Sequence, residues 1–229
     1  MTAPIATIPW WTQFPARAAV SALRWIPRIP ATQLEQVFPG IDKTEVTLTH
    51  HVGDRALSHG EALVLALIVA YLEPQRILEI GTAGGQGTAL MATQAPGAKI
   101  DTLDLGNDRS SLGQQRGQAP WQDLASVGLA YRQAGVGERV TQHLADSARF
   151  DFGQLEQSID LAFIDGAHTY EYVVSDSRSV LGCLRAGGTV VWDDCDYRSP
   201  GVSRALADLR RQGLPVYRIA GTRLAVMRR

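Results

Sequence analysis

Lysine is nearly absent. The chain of 229 residues has only Lys43 and Lys99 against 20 arginines. No Lys followed by Ser or Thr ends its glycine-rich turn at 81–87, which excludes a phosphate-cradling P-loop there. Cysteine is scarce as well. Cys183 and Cys195 are too few for a disulfide scaffold and fit a reducing compartment. The net charge of −1 gives no global basic field, so no nucleic-acid partner is expected. The longest apolar run, Ala62 to Leu72, is too short to span a bilayer. The N-terminal residues lack a charged start followed by an apolar core and a small-residue cleavage site. The expectation from these absences is a cytoplasmic protein with no membrane span.

What is present is a regular alternation of strands and helices. The hydrophobic content of 45% is enough for a substantial core, and the length suits one large domain with or without an appendage. Residues 1–55 differ from the rest: six prolines break them up, and Trp10, Trp11 and Trp25 lie there. They read as an N-terminal appendage, with one short helix over 13–25. It would serve as a lid over a substrate, as a homodimer contact anchored by exposed aromatics, or as a segment packed on the main domain. From Ser58 a helix runs to Leu72, with Ser58 and Glu61 placed for a capping box. Strands are expected at 77–81, 99–103, 139–144, 159–164 and 189–192. Helices are expected at 86–95, 121–134, 170–184 and 201–212. A closing hairpin joins 214–219 to 223–227. Residues 106–121 read as a loop. The alternation argues for a mostly parallel sheet covered on both faces.

The turn after the first of these strands carries the main chemical signal. Ile77 to Ile80 is a buried-strand run, Gly81, Gly84, Gly85 and Gly87 follow, and Thr88 lies in the next helix. Glycines let a ligand approach the backbone, and helix N-terminal amides face it. A dinucleotide fingerprint begins at Gly85-Gln-Gly87 but has Leu90 where its third glycine belongs. The pattern acidic-x-Gly-x-Gly-x-Gly is read as Glu79, Gly81, Ala83 and Gly85, with alanine in the middle place. Asp104 closes the next strand, 23 residues after Gly81, at the edge where open α/β sheets bind ligands.

This turn resembles motif I of the class I S-adenosylmethionine-dependent methyltransferases. The segment Asp165-Gly-Ala-His-Thr-Tyr170 is similar to one found in a bacterial small-molecule subfamily of them, and Val190-Val-Trp-Asp-Asp194 belongs to the same resemblance, which covers about 58–227. It implies a Rossmann-like, seven-stranded, mostly parallel sheet with a C-terminal antiparallel hairpin, spanning 56–229. It also implies S-adenosylmethionine as methyl donor and a small-molecule hydroxyl, on a sugar or natural product, as acceptor. The implied donor site is Glu79, Gly81, Thr82, Ala83, Gly85, Asp104, Asp146, Ser147 and Asp165. Asp104 would hold the ribose and Asp146 the adenine amino group. Alternatively, Asp146 or Ser147 caps the next short helix.

Asp165, Asp193 and Asp194 are three carboxylates at neighbouring strand ends, a set that suits Mg²⁺. Catechol-type O-methyltransferases resemble this arrangement with two acids and an Asn, where this chain has Asp194. Their general-base Lys is matched by His168, which takes a proton near neutral pH. The expected catalytic set is therefore His168, Asp165 and Asp194, with Mg²⁺ orienting the hydroxyl. If no metal binds, His168 or Asp194 acts as an unaided base. A nicotinamide-dependent oxidoreductase and a non-catalytic fold relative are the rival readings. His50, His51 and His59 read as surface histidines. The seven arginines among the last 26 residues read as a solvated face or an anion patch.

Overall fold

A computed structural model describes residues 29–48, 57–105 and 124–229. The expected helix at 13–25, the three N-terminal tryptophans, His50, His51 and the expected loop at 106–121 lie outside these residues. Among the described residues no helix is long and apolar enough to cross a membrane.

One sheet organises the chain. Its strands are β1 (Ala31–Thr32), β2 (Arg76–Ile80), β3 (Lys99–Asp104), β4 (Val140–Leu144), β5 (Ile159–Ile164), β6 (Leu184–Trp192), β7 (Tyr217–Ile219) and β8 (Ala225–Arg228), in the order β1-β7-β8-β6-β5-β2-β3-β4. Strands β2 to β6 run parallel, and β8 runs antiparallel to both β6 and β7, as the expected hairpin requires. The sheet has eight strands rather than the expected seven. The extra one, β1, pairs in parallel with β7 through Arg218 N–H donating to Pro30 O and Ala220 N–H donating to Thr32 O. Two residues are too few to show a sequence period.

The helices are α1 (Leu34–Val37), α2 (His59–Leu72), α3 (Gln86–Gln94), α4 (Leu129–Gln133), α5 (Tyr170–Cys183) and α6 (Pro200–Arg211). Helix α2 begins with the expected capping box. Ser58 N–H donates to Glu61 Oε2, and Glu61 N–H donates to Ser58 Oγ. Helix α4 is shorter than the expected 121–134. A 3₁₀ turn at Leu124–Ser126 precedes it, and 121–123 lie outside the described residues. Helix α5 stops at Cys183, and β6 starts at once. The pairing of β5 with β6 shifts register between Ile159 and Leu161, which accommodates the segment before Thr189.

The period-2 alternation of the strands divides the core. Ile77, Leu161 and Phe163 face a layer built from α2, α3 and the 29–48 segment, where Phe38 and Ile41 are fully buried. Leu78, Ile80, Ala162 and Ile164 face α5 and α6. The described part of the N-terminal segment is thus packed on the main body. Strand β5 is buried at all six positions, which needs apolar residues on both faces. Its one acid, Asp160, is satisfied by the backbone N–H groups of Gln75 and Arg76 and by Arg185.

Candidate active site

The carboxyl ends of β2, β3, β5 and β6 bring the expected residues to one edge of the sheet. Gly81 N–H donates to Leu103 O, Asp165 N–H to Ile80 O, and Asp193 N–H to Ile164 O, so the residues after the strands stay in step. Gly81 has φ +104°, and a Cβ there would sit 2.0 Å from the Asp165 carbonyl oxygen. This close approach of backbone to backbone explains the first glycine of the turn.

Ala83, in the middle place of the motif, has φ +47°, a left-handed conformation that disfavours any side chain. Its N–H donates to Asp104 Oδ2 at 2.8 Å. Asp104 therefore fixes the turn as well as standing at the ligand edge. The start of α4 docks on the same turn. Gly128 N–H donates to Ala83 O and Ala130 N–H to Gly84 O, both at 2.8 Å. A Cβ on Gly85 would lie 2.7 Å from Gly128 Cα.

Glu79 lies beneath the turn, 1% exposed. Thr102 Oγ1 donates to its Oε2 at 2.5 Å, and Thr88 Oγ1 donates to the same oxygen. With the Thr102 proton so used, Thr82 Oγ1 donates to Thr102 Oγ1, and Gln142 Nε2 donates to Thr82 Oγ1. Burial pushes the Glu79 carboxyl up to about 8, against the pull of the two hydroxyls. Burial thus favours its acid form within a buried chain of side chains. Thr82, Thr102 and Gln142 thus form a support for the donor turn. Only Thr82 was singled out by sequence, since the other two lie on β3 and β4 and meet it only in the fold.

Asp146 caps the turn after β4. Its Oδ1 accepts from Ala148 N–H at 3.0 Å, and its carbonyl accepts from Arg149 and Phe150 N–H. Tyr172 OH also donates to it, at 3.1 Å. Ser147 belongs to this turn. Tyr170, the last residue of the Asp-Gly-x-His-x-Tyr segment, ties α5 to α6 by donating to Asp208 Oδ2 at 2.7 Å. His59 opens α2.

The acidic edge departs in detail from three converging aspartates. Among the described residues, the ligand-type atoms that lie within 4.8 Å of one another belong to Asp165, His168 and Asp194. His168 Nε2 is 3.0 Å from Asp194 Oδ2 and 3.9 Å from Asp165 Oδ1. Asp165 contributes most to raising the His168 pKa above 6.5; burial opposes the rise, and Asp194 and Asp193 add to it. Asp194, at φ +58°, is the carboxylate in hydrogen-bond range of the ring. Asp193 is buried. Its Oδ1 accepts from Asp194 N–H at 2.7 Å, and its Oδ2 lies 3.5 Å from Arg223 Nη2. Burial and the Asp165 charge push the Asp193 carboxyl up to about 7.

Arg223 is the residue of this acidic edge that the sequence does not announce. It was one arginine in a C-terminal run, but the β7–β8 turn inserts it among these acids. Nε and Nη2 donate to the two oxygens of Glu61 at 2.8 and 2.9 Å, and Nη1 donates to Asp194 Oδ1.

This arrangement has relatives among known proteins. A family model described as a methyltransferase domain matches residues 78–195, just over half of the chain. A probable O-methyltransferase of Mycobacterium tuberculosis is 27% identical over 194 residues, covering 80% of this chain and 73% of that protein. Catechol O-methyltransferase B of Danio rerio is 28% identical over 162 residues, covering 70% of this chain and 54% of that protein. Among solved structures, the O-methyltransferase TomG of Streptomyces achromogenes, involved in tomaymycin synthesis and bound to S-adenosylmethionine, has the same fold. Its TM-score is 0.57 at 18% identity, with 96% of this chain and 99% of that one covered. The glycine turn after β2, the acid closing β3 and the antiparallel β8 now have one explanation: the chain belongs to the methyltransferase domain family and is a class I S-adenosylmethionine-dependent methyltransferase.

Proposed function

We propose that this enzyme moves the methyl group of S-adenosylmethionine to a hydroxyl oxygen of a small molecule, a phenol, sugar or other natural-product hydroxyl, with His168 as proton acceptor. The observation that carries this reading is the His168–Asp194 pair, 3.0 Å apart at the same strand edge as the donor turn. A carboxylate only accepts hydrogen bonds, so Nε2 carries the proton in this pair and Nδ1 is left as the base. The acceptor oxygen forms the new O–C bond as the methyl–sulfur bond breaks. The bonding pair leaves with sulfur, giving S-adenosylhomocysteine, and the hydroxyl proton goes to Nδ1. Asp194 and Asp165 then stabilise the imidazolium. Most of the acceleration comes from aligning oxygen, methyl carbon and sulfur. The names of the relatives, an O-methyltransferase, a catechol O-methyltransferase and a natural-product O-methyltransferase, support oxygen as the acceptor atom.

In the donor site we assign Asp104 to the ribose hydroxyls, the 81–85 turn to the amino-acid portion, and the Asp146–Ser147 turn with Asp165 to the rest of the ligand. Residues 1–55 are proposed as an appendage and 56–229 as the catalytic domain, with the protein in the cytoplasm.

Mg²⁺, which three clustered aspartates suggest, would find Asp165 and one oxygen of Asp194 beside His168. Asp194 has one oxygen on Arg223 and the other on His168. Asp193 has one on a backbone N–H and the other facing Arg223. A cation there would compete with Arg223 and His168 for the oxygens of Asp194, so the proton acceptor is assigned to His168.

The test is His168→Ala. The variant should lower kcat by about 10²–10⁴, the usual contribution of general acid–base catalysis. Donor affinity and melting temperature should stay close to wild type. A variant that turns over at the wild-type rate excludes His168 as the base.

A further inference from the structure

We propose that the Arg223 guanidinium is the resident cation of the acidic edge, engaging Asp193 and Asp194 so that they are not free to bind a divalent ion. The inference rests on the proposed reading of this edge as the acceptor side of the site.

Four carboxylates meet there, from three parts of the chain: Glu61 on α2, Asp165 after β5, and Asp193 and Asp194 after β6. Left alone they would repel one another, and each would be costly to keep ionised. Arg223 reaches three of them. Its contact with Glu61 is a fork, Nε to one oxygen and Nη2 to the other, the geometry that gives an arginine–carboxylate pair its strength. Its main chain is fixed too. Arg223 N–H donates to Glu61 Oε1 at 3.1 Å, and its carbonyl accepts from Cys195 N–H at 2.8 Å. The guanidinium is thus anchored at both ends rather than draped over the surface.

Charge points the same way. A guanidinium stays protonated at every pH the protein meets. Burial would raise the Glu61 carboxyl, but hydrogen bonds from Arg223 and Ser58 hold it down at about 2. A divalent cation seated on Asp193 and Asp194 would have to displace Arg223 or sit beside its positive charge. Arg223 would be a positioning residue. It holds the oxygen of Asp194 opposite the one that orients His168, and so keeps that carboxylate aimed at the ring.

The experiment follows Mn²⁺, a paramagnetic stand-in for Mg²⁺, by its free-ion electron paramagnetic resonance signal. Wild-type protein should leave the signal unchanged. Arg223→Met, which keeps the apolar stem and removes the charge, should diminish it, with affinity at least about 10-fold above wild type. If Arg223→Met does not fold, Arg223→Lys serves in its place: it keeps a charge but loses the fork, and should bind Mn²⁺ better than wild type and less well than an acid cluster without any cation. Stoichiometric Mn²⁺ binding by wild type overturns the proposal. So does a folded Arg223 variant that binds no more Mn²⁺ than wild type, because something other than Arg223 then excludes the ion. The signal is read without donor or acceptor, so a failure of the proposed methyl transfer leaves this result intact.

Discussion

At the scale of single residues, four positions carry strain or charge. Ala83 occupies the middle place of the motif at φ +47°. Ala83→Gly should relieve that strain and stabilise the fold by about 1 kcal/mol, partly offset by the freer unfolded chain, as a thermal melt would read. Asp104→Ala removes both the proposed ribose contact and the acceptor of Ala83 N–H. Calorimetric titration should show donor affinity lower by about 2–3 kcal/mol, the scale of a hydrogen bond to a charged group; unchanged affinity would remove the ribose role. Glu79 has a folded pKa near 8 against 4.5 when free. An acid raised on folding favours the folded state below its unfolded pKa and loses that contribution as pH rises through its folded pKa. Thermal stability should therefore fall by roughly a few kcal/mol between pH 5 and pH 8, and Glu79→Gln should flatten the fall. A melt series in which both proteins show the same slope would contradict the buried acid. For His168 the raised pKa means that the neutral base is gained only above pH 6.5, so the acid limb of the rate profile should have its midpoint above that value.

At the scale of elements, the site depends on helices packed against loops with almost no side chain between them. Gly201 near the start of α6 is one such contact. A Cβ there would lie 2.3 Å from His168 O and 2.8 Å from Tyr170 N. Both obstacles are backbone, which cannot swing aside. Gly201→Ala should therefore push the His168 loop outward, costing about 1–3 kcal/mol in stability and lowering kcat more than donor affinity. Gly182→Ala near the end of α5 is the control. A Cβ there meets nothing within 4 Å, and the change should stabilise by about 0.5–1 kcal/mol. Melting curves beside single-turnover rates separate the two. These element contacts also show where sequence reading stops. The capping box of α2 is local, four residues long, and was legible. The docking of Gly128 on the 83–85 turn joins distant segments, and nothing in the spacing of either announces the other.

At the scale of the whole molecule, the sheet was legible because buried parallel strands are dense apolar runs closed by turn residues. Ile159–Ile164 was readable to the residue for this reason. The acids that close β3, β5 and β6 were readable too, since the edge of an open sheet gathers whatever follows its strands. What could not be read was the company these acids keep. Arg223 is 162 residues from Glu61 and 29 from Asp194, and only the β7–β8 hairpin folded onto β6 delivers it. Two-residue β1 was equally hidden. Methyl transfer to an oxygen with an amino-acid base is tested by following the methyl group itself. The enzyme is incubated with methyl-¹³C-labelled S-adenosylmethionine, chelator and a panel of catechols, phenols and sugars, and the labelled product is examined by carbon NMR. A labelled methyl bonded to oxygen is expected in at least one acceptor, formed in the presence of chelator and lost in His168→Ala. Label found on nitrogen or carbon, or transfer that stops when chelator is added, would contradict this reading.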